Sequence, residues 1–268
     1  MPSEGFEMSA EFSNKTVIVT GGASGLGRAI TLEFVRLGAN VVCGDRDAAA
    51  GKEIGELAKG LNGKLHFECV DVGKARDCDR LAQSAASLGG TDVLCNNVGI
   101  QPAESYVPVH ELPDEFWDAI LTVNLKSHFW MAKRCIPQMQ ARGGGVIINT
   151  ASVQGLQSQK GVSAYAASKG GVLSLTRQLA LEYADQNIRV LAVAPGTFDT
   201  PLLRQVAKGI ADPTYMKRLT EAYPMRRIGK PEELARVVAF LASPAASFMT
   251  GECVTVDGGI MAQGGWAQ

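Results

Sequence analysis

Several features that would mark a membrane, nucleic-acid or disulfide protein are missing from this sequence. No apolar run reaches the roughly 18 residues that a membrane-spanning helix needs. The formal net charge is only −1, and Lys and Arg form no stripe, so the electrostatic footprint of a nucleic-acid or anionic-membrane binder is lacking. There are three histidines, His66, His110 and His128, and they share no ligand spacing. The six cysteines (Cys43, Cys69, Cys78, Cys95, Cys135 and Cys253) contain no Cys-x-x-Cys, so no catalytic metal is expected. Several lie in apolar runs and read as buried free thiols, which suits a reducing, cytoplasmic setting. Residues 1–12 carry Glu4, Glu7 and Glu11 without an apolar centre, which is not the pattern of a secretory signal.

What is present is an alternation. Short β-branched runs at Lys15–Thr20, Asn40–Gly44, Lys64–Val70, Asp92–Cys95, Gly145–Thr150, Ile188–Ala194 and Glu252–Val256 read as strands. Helical patterns separate them, including one long helix from Asp114 to about Met139 and another over 162–184. Strands alternating with helices predict an α/β fold, a single doubly wound domain on one parallel sheet. At 268 residues the chain suits one such domain. The expected layout is an N-terminal extension over 1–13, the domain over 14–260, and a tail over 261–268 in which Trp266 is a candidate subunit contact. Residues 200–228, broken by Pro201, Pro213 and Pro224, read as short helices forming a lid over the sheet.

Glycines follow the first strand in the order Gly21, Gly22, Gly25, Gly27, with Ser24 among them. A glycine turn between strand and helix lets the backbone approach a pyrophosphate, which the helix amides then hold. A plain structural turn would use the same residues. Asp45 ends the second strand about 20 residues on, where a carboxylate accepts from both adenosine ribose hydroxyls. That favours NAD over NADP, whereas the guanidinium of Arg46 would greet a 2′-phosphate. Asp47 reads better as a helix cap. Asp71 ends the third strand and faces either an adenine amino group or the next helix. Asn96-Asn97-Val98-Gly99 ends the fourth strand, where open α/β sheets bind ligands. Asn124 interrupts an apolar helix face, so it either bonds neighbouring backbone or kinks the helix and holds a water. Ser152 follows the fifth strand. Tyr165 and Lys169, one helical turn apart, place a phenol beside an ammonium, which is expected to lower the phenol pKa and suit it to proton exchange with an alcohol or ketone oxygen. Taken alone, such a pair is more often two surface neighbours.

In combination these motifs, with Pro195-Gly196 and Thr200, resemble the short-chain dehydrogenase/reductase family from about Lys15 to Gly259. The resemblance implies a seven-stranded Rossmann-type sheet, usually in a homotetramer, and a tetrad of Asn124, Ser152, Tyr165 and Lys169. In that family the tyrosine is the acid/base and the serine orients the substrate oxygen. The lysine contacts the nicotinamide ribose and lowers the tyrosine pKa, and the asparagine holds a relay water. Carried over by position, Leu26, Val72, Asn97, Gly99, Pro195, Gly196, Phe198 and Thr200 join Gly21, Ser24, Gly25, Gly27, Asp45, Arg46 and Asp71 as the cofactor site. Three positions depart from the pattern: Val98 for alanine, Ala151 for serine and Leu191 for asparagine.

The expected activity is NAD-dependent interconversion of a secondary alcohol and a ketone, with Tyr165 moving the proton. Gln101, Glu104, Gln154, Gln157 and Gln159 fall in loops near the expected pocket. They hint at a sugar, polyol or cyclic alcohol, and equally suit a solvated loop. The alternatives are an NADP-dependent ketone reductase, such as one acting on 3-oxoacyl thioesters, and a silent NAD-binding protein.

Overall fold

The β-branched runs form strands β1 (Thr16–Thr20), β2 (Asn40–Asp45), β3 (Lys64–Cys69), β4 (Val93–Asn96), β5 (Gly145–Thr150), β6 (Ile188–Pro195) and β7 (Cys253–Val256). The computed structural model describes residues 11–209 and 212–264. Expectations for residues 1–10 and for Trp266 lie outside them. The seven strands make one sheet in the order β3-β2-β1-β4-β5-β6-β7. Every pairing is parallel. The strand-period alternation splits the core in two. Val17, Val19, Val41, Cys95 and Ile148 point to one face, against helices α1 (Gly25–Arg36) and α9 (Pro231–Ala242). Ile18, Val42, Leu94, Ile147 and Val190 point to the other. There they meet α3 (Ala75–Ser87), α5 (Ser127–Ala141) and α6 (Ser163–Tyr183). Burial on both faces is why these strands read as continuous apolar runs.

The winding reverses between β1 and β4, which pair with Val17 opposite Val93 and Val19 opposite Cys95. The loops after these two strands therefore open side by side at the carboxyl edge, where such sheets bind ligands. Asp92 fixes the opposite end of the same pair. Its carboxylate accepts from Thr16 N (2.9 Å), Lys15 Nζ (3.2 Å) and both Nε and Nη2 of Arg142.

The expected long helix is interrupted. Helix α4 (Asp114–Leu121) passes through a π turn at Thr122–Lys126 before α5 begins. Asn124 sits in that turn, so the kink reading holds. The lid region contains α7 (Pro201–Gly209) and α8 (Tyr215–Glu221); α2 spans Ala48–Leu57. Cys43, Cys78, Cys95 and Cys135 are buried, Cys253 is half-buried, and all six cysteines are free. Cys69, expected inside, is exposed because β3 is the sheet's edge strand. Leu191 and Ala151 are core residues, so at these two positions apolar packing occupies the place of a polar side chain.

Candidate active site

The glycine turn after β1 is built by close approach. Gly21 has φ +62°, the left-handed region that favours glycine. A Cβ on Gly27 would lie 2.0 Å from the Gly21 carbonyl oxygen, so α1 can start this close to the turn only with hydrogen at that position. A Cβ on Gly21 would meet Val98 Cγ2 at 2.9 Å, which shows how Val98 narrows this floor. Asn97 braces the turn. Its Nδ2 donates to the carbonyl of Thr20 (3.1 Å), while its N–H donates to Thr20 Oγ1 (2.9 Å). Asn97 therefore acts on the turn through its side chain, a role that had not been expected from sequence. Ser24 precedes α1 without capping it, so no Ser24 hydroxyl covers the first-turn amides. A tight backbone cradle against an uncapped helix start fits a pyrophosphate.

Asp45 ends β2 beside this turn. Its Oδ2 accepts from Ala23 N and its Oδ1 from Asp47 N, both at 3.1 Å. The carboxylate is thereby aimed along the turn. Asp47 is the cap of α2, accepting from Ala49 N (2.9 Å) and Ala50 N (3.0 Å). Arg46 is exposed. Asp71 Oδ1 accepts from Gly73 N at 3.0 Å, which makes it a local turn former. Leu26 is half-buried and Val72 is buried. Thr200 comes from beyond β6 to the same turn, and a Cβ on Gly25 would touch its Cγ2 at 3.6 Å. Phe198 differs from expectation, because its ring is buried against Gly229. Any ligand contact there falls to its backbone. Pro195 closes β6, and Gly196 packs on the Asp257 backbone.

Four chain segments bring the tetrad together. Ser152 follows β5, and its hydroxyl hydrogen-bonds the Tyr165 phenol and accepts from Gln154 N at 3.1 Å. Tyr165 and Lys169 share one face of α6. Lys169 is buried, donates to the Thr150 carbonyl at 2.8 Å, and lies 5.7 Å from the Tyr165 ring centre. Gly99 leaves room beside the ammonium, since a Cβ there would sit 3.4 Å from Nζ. Asn124 is fully engaged by protein. Its Oδ1 accepts from Ile100 N (2.8 Å), and its Nδ2 donates to Ile100 O (3.0 Å) and Ser168 Oγ (3.3 Å). Both amide hydrogens are bonded within the chain, so the side chain does not hold the expected relay water. It clips the loop after β4 onto α6. Ser168 also donates to the Tyr165 carbonyl at 2.7 Å. Sequence reasoning missed Ser168, although its position, three residues past Tyr165, is the usual spacing for such a bond.

Electrostatics bring a correction. Burial pushes the Tyr165 phenol up, the Ser152 hydrogen bond pulls it down, and the net direction is up. The expected lowering by Lys169 does not arise within the chain, because the ammonium points at the Thr150 carbonyl and burial takes Lys169 itself down to about 8. Tyr106 is raised to about 12 by burial, then by Tyr165 and Tyr215, which places the lid helix α8 electrostatically close to this site. His128, on α5, is also raised to notice by the structure: burial first and Lys169 second hold it at about 3. Gln101 is buried and Gln154 half-buried, whereas Gln157, Gln159 and Glu104 are exposed and lie on the rim.

A family model described as Enoyl-(Acyl carrier protein) reductase matches residues 21–261. The chain belongs to the short-chain dehydrogenase/reductase family. It is 38% identical to the 3-oxoacyl-[acyl-carrier-protein] reductase of Thermotoga maritima, over 92% of this chain and 98% of that one. It is 36% identical to cyclohexanol dehydrogenase of Acinetobacter, over 94% and 96%. A solved structure from Beutenbergia cavernae superposes with a TM-score of 0.86 at 34% identity, covering 94% of this chain and 98% of that one. It is described as a candidate NAD(P)-dependent gluconate 5-dehydrogenase with NADP bound at low occupancy. This short-chain dehydrogenase/reductase is therefore an oxidoreductase, of a family that binds NAD or NADP. Among the described residues no helix is long and apolar enough to cross a membrane.

Proposed function

We propose that this protein interconverts a secondary alcohol and a ketone with NAD as redox partner. The observation that carries this reading is the Ser152 hydroxyl bonded to a half-buried Tyr165 phenol, with buried Lys169 one turn along the same helix. The nicotinamide supplies the carbon that gives or takes the hydride. Tyr165 gives its phenolic proton to the ketone oxygen in reduction and takes it from the alcohol in oxidation. Ser152 hydrogen-bonds the same oxygen and fixes its position. Lys169 holds the turn after β5 through the Thr150 carbonyl and presents its remaining N–H groups beside Gly99. Asn124 positions the loop after β4 against the catalytic helix. Tyr165 rests as the neutral phenol, the form that donates, so alcohol oxidation is expected to rise with pH and ketone reduction to fall.

Gly21, Gly25, Gly27 and the first turn of α1 would hold the pyrophosphate, with Ser24 and Leu26 beside them. Asp45 would take the adenosine ribose hydroxyls, and its negative charge disfavours a 2′-phosphate. Asp71 and Val72 would flank the adenine. Asn97, Gly99, Tyr165, Lys169, Pro195, Gly196, the Phe198 backbone and Thr200 would line the nicotinamide half. The second reading, an NADP-dependent ketone reductase, is favoured by exposed Arg46 next to Asp45. A homotetramer in the reducing cytoplasm belongs to the same proposal, supported by exposed Phe129 on α5, Leu181 on α6 and Phe248, and by four buried free thiols.

The test follows absorbance of the reduced nicotinamide with NAD or NADP and a panel of alcohols. Tyr165→Phe should lower kcat by about 10²–10⁴-fold while calorimetry still shows cofactor binding. Full turnover by that variant would sink the mechanism. Turnover with NADP alone would assign the selecting role to Arg46.

A further inference from the structure

Around Tyr165 three buried polar atoms have no hydrogen-bond partner within the chain: Gln101 Nε2, Gln154 Oε1 and Ser163 Oγ. Leaving such a group unsatisfied costs about 1–3 kcal/mol, and native proteins retain few of them without a reason. The three lie on segments that converge on the phenol. Gln101, with only 9% of its surface exposed, directly follows Ile100, whose N–H and C=O are both held by Asn124. Gln154 donates its N–H to the same Ser152 hydroxyl that bonds Tyr165. Ser163 opens α6 two residues before Tyr165. The loop carrying Gln101 continues to Tyr106, whose backbone packs on Gly161 (3.6 Å from a Cβ built there), so the two loops close over one space.

That space carries little fixed charge. Within 99–107 and 150–165 the charged residues are Glu104 and Lys160, and both are exposed. Lys169 is directed at the Thr150 carbonyl. A carboxylate or phosphate only accepts hydrogen bonds, so it would face the Gln154 carbonyl with no cation built to receive it. A methylene would leave all three atoms unpaired. A hydroxyl accepts from the Gln101 amide and donates to the Gln154 carbonyl at once.

We propose that Gln101 and Gln154, with Ser163, form a subsite for a second hydroxyl on the carbon next to the reacting carbinol, so that the substrate is an uncharged vicinal diol or its α-hydroxyketone. This rests on the alcohol–ketone reading of the Tyr165 site. A site built to bond a hydroxyl rejects the analogue lacking it far more strongly than an apolar pocket rejects a missing methylene.

The experiment compares kcat/KM for the isomers of 1,2-cyclohexanediol with that for cyclohexanol. It uses the full-length enzyme with NAD, and the Gln101→Leu, Gln154→Leu and Gln101→Asn variants. Melting curves and NAD titration establish that each variant is folded. The wild type should favour one diol isomer over cyclohexanol by at least about a hundredfold. Each leucine variant should cut that ratio at least tenfold, and the asparagine variant should restore part of it. A wild-type ratio near one needs no variant to read, and it overturns the subsite. A ratio unchanged in both leucine variants overturns it as well. In either case turnover that still depends on Tyr165 leaves the alcohol–ketone reading standing. No turnover of any alcohol with either cofactor overturns that reading, and the subsite with it.

Discussion

His128 should make this protein acid-sensitive in a window where most of its carboxylates are silent. The ring is buried on α5, with Ser127 Oγ 3.4 Å from Nδ1 and no partner for Nε2. Burial, then the nearby Lys169 ammonium, lower its pKa from 6.5 to about 3, and a hydrogen bond with the Asn96 backbone opposes them only in part. The folded pKa is depressed, so the unfolded chain binds the extra proton and stability falls with falling pH. The loss begins near 6.5, the unfolded value, and continues down to about 3. Each pH unit inside that window costs about 1.4 kcal/mol, so the cost at pH 5 is about 2 kcal/mol. Against a typical native stability of about 5–15 kcal/mol, that is easily measured. Urea titrations at pH 7, 6 and 5 on the wild type and on His128→Gln check it, because glutamine removes the titration. The wild type should lose about 2 kcal/mol more than the variant between pH 7 and pH 5. Parallel losses would refute the reasoning, and would mean either that the ring ionises in place or that water reaches it.

Two further outcomes follow from the fold. Gly27→Ala should destabilise by about 1–3 kcal/mol and weaken NAD binding at least tenfold, since the new methyl would meet the Gly21 carbonyl at 2.0 Å and backbone must move; calorimetry and a melting curve read both effects. Asp92→Ala should cost about 3 kcal/mol in urea, the low end for a broken buried pair, because Arg142 keeps 29% of its side chain in water. It also removes the acceptor of Thr16 N at the start of β1.

By itself the sequence determined the sheet, the order of its elements and the identity of the tetrad. Strand and helix periods are local properties, and seven apolar runs separated by helical patterns leave few ways to fold other than a doubly wound parallel sheet. The glycine turn was equally legible, since positions that exclude a Cβ can hold little besides glycine. The limits of local reading appear at Asn124. An amide in an apolar helix announced a kink, but its partners, Ile100 and Ser168, lie 24 and 44 residues away, and no spacing rule names them. Asp45 shows the same limit: its place at the strand end was readable, and its bond to Ala23 across the turn was not.

Tertiary structure alone decided the electrostatics. Two residues four apart on a helix suggested an ammonium lowering a phenol pKa. Burial raised the phenol, and the Thr150 carbonyl took the ammonium, because desolvation and orientation depend on every element packed around the pair. It also sorted the glutamines, which look alike in sequence. Gln101 and Gln154 are drawn in beside the catalytic tyrosine, while Gln157 and Gln159 stay on the rim. Burial is a property of the packed fold, and only burial turns a polar side chain into one that needs a partner.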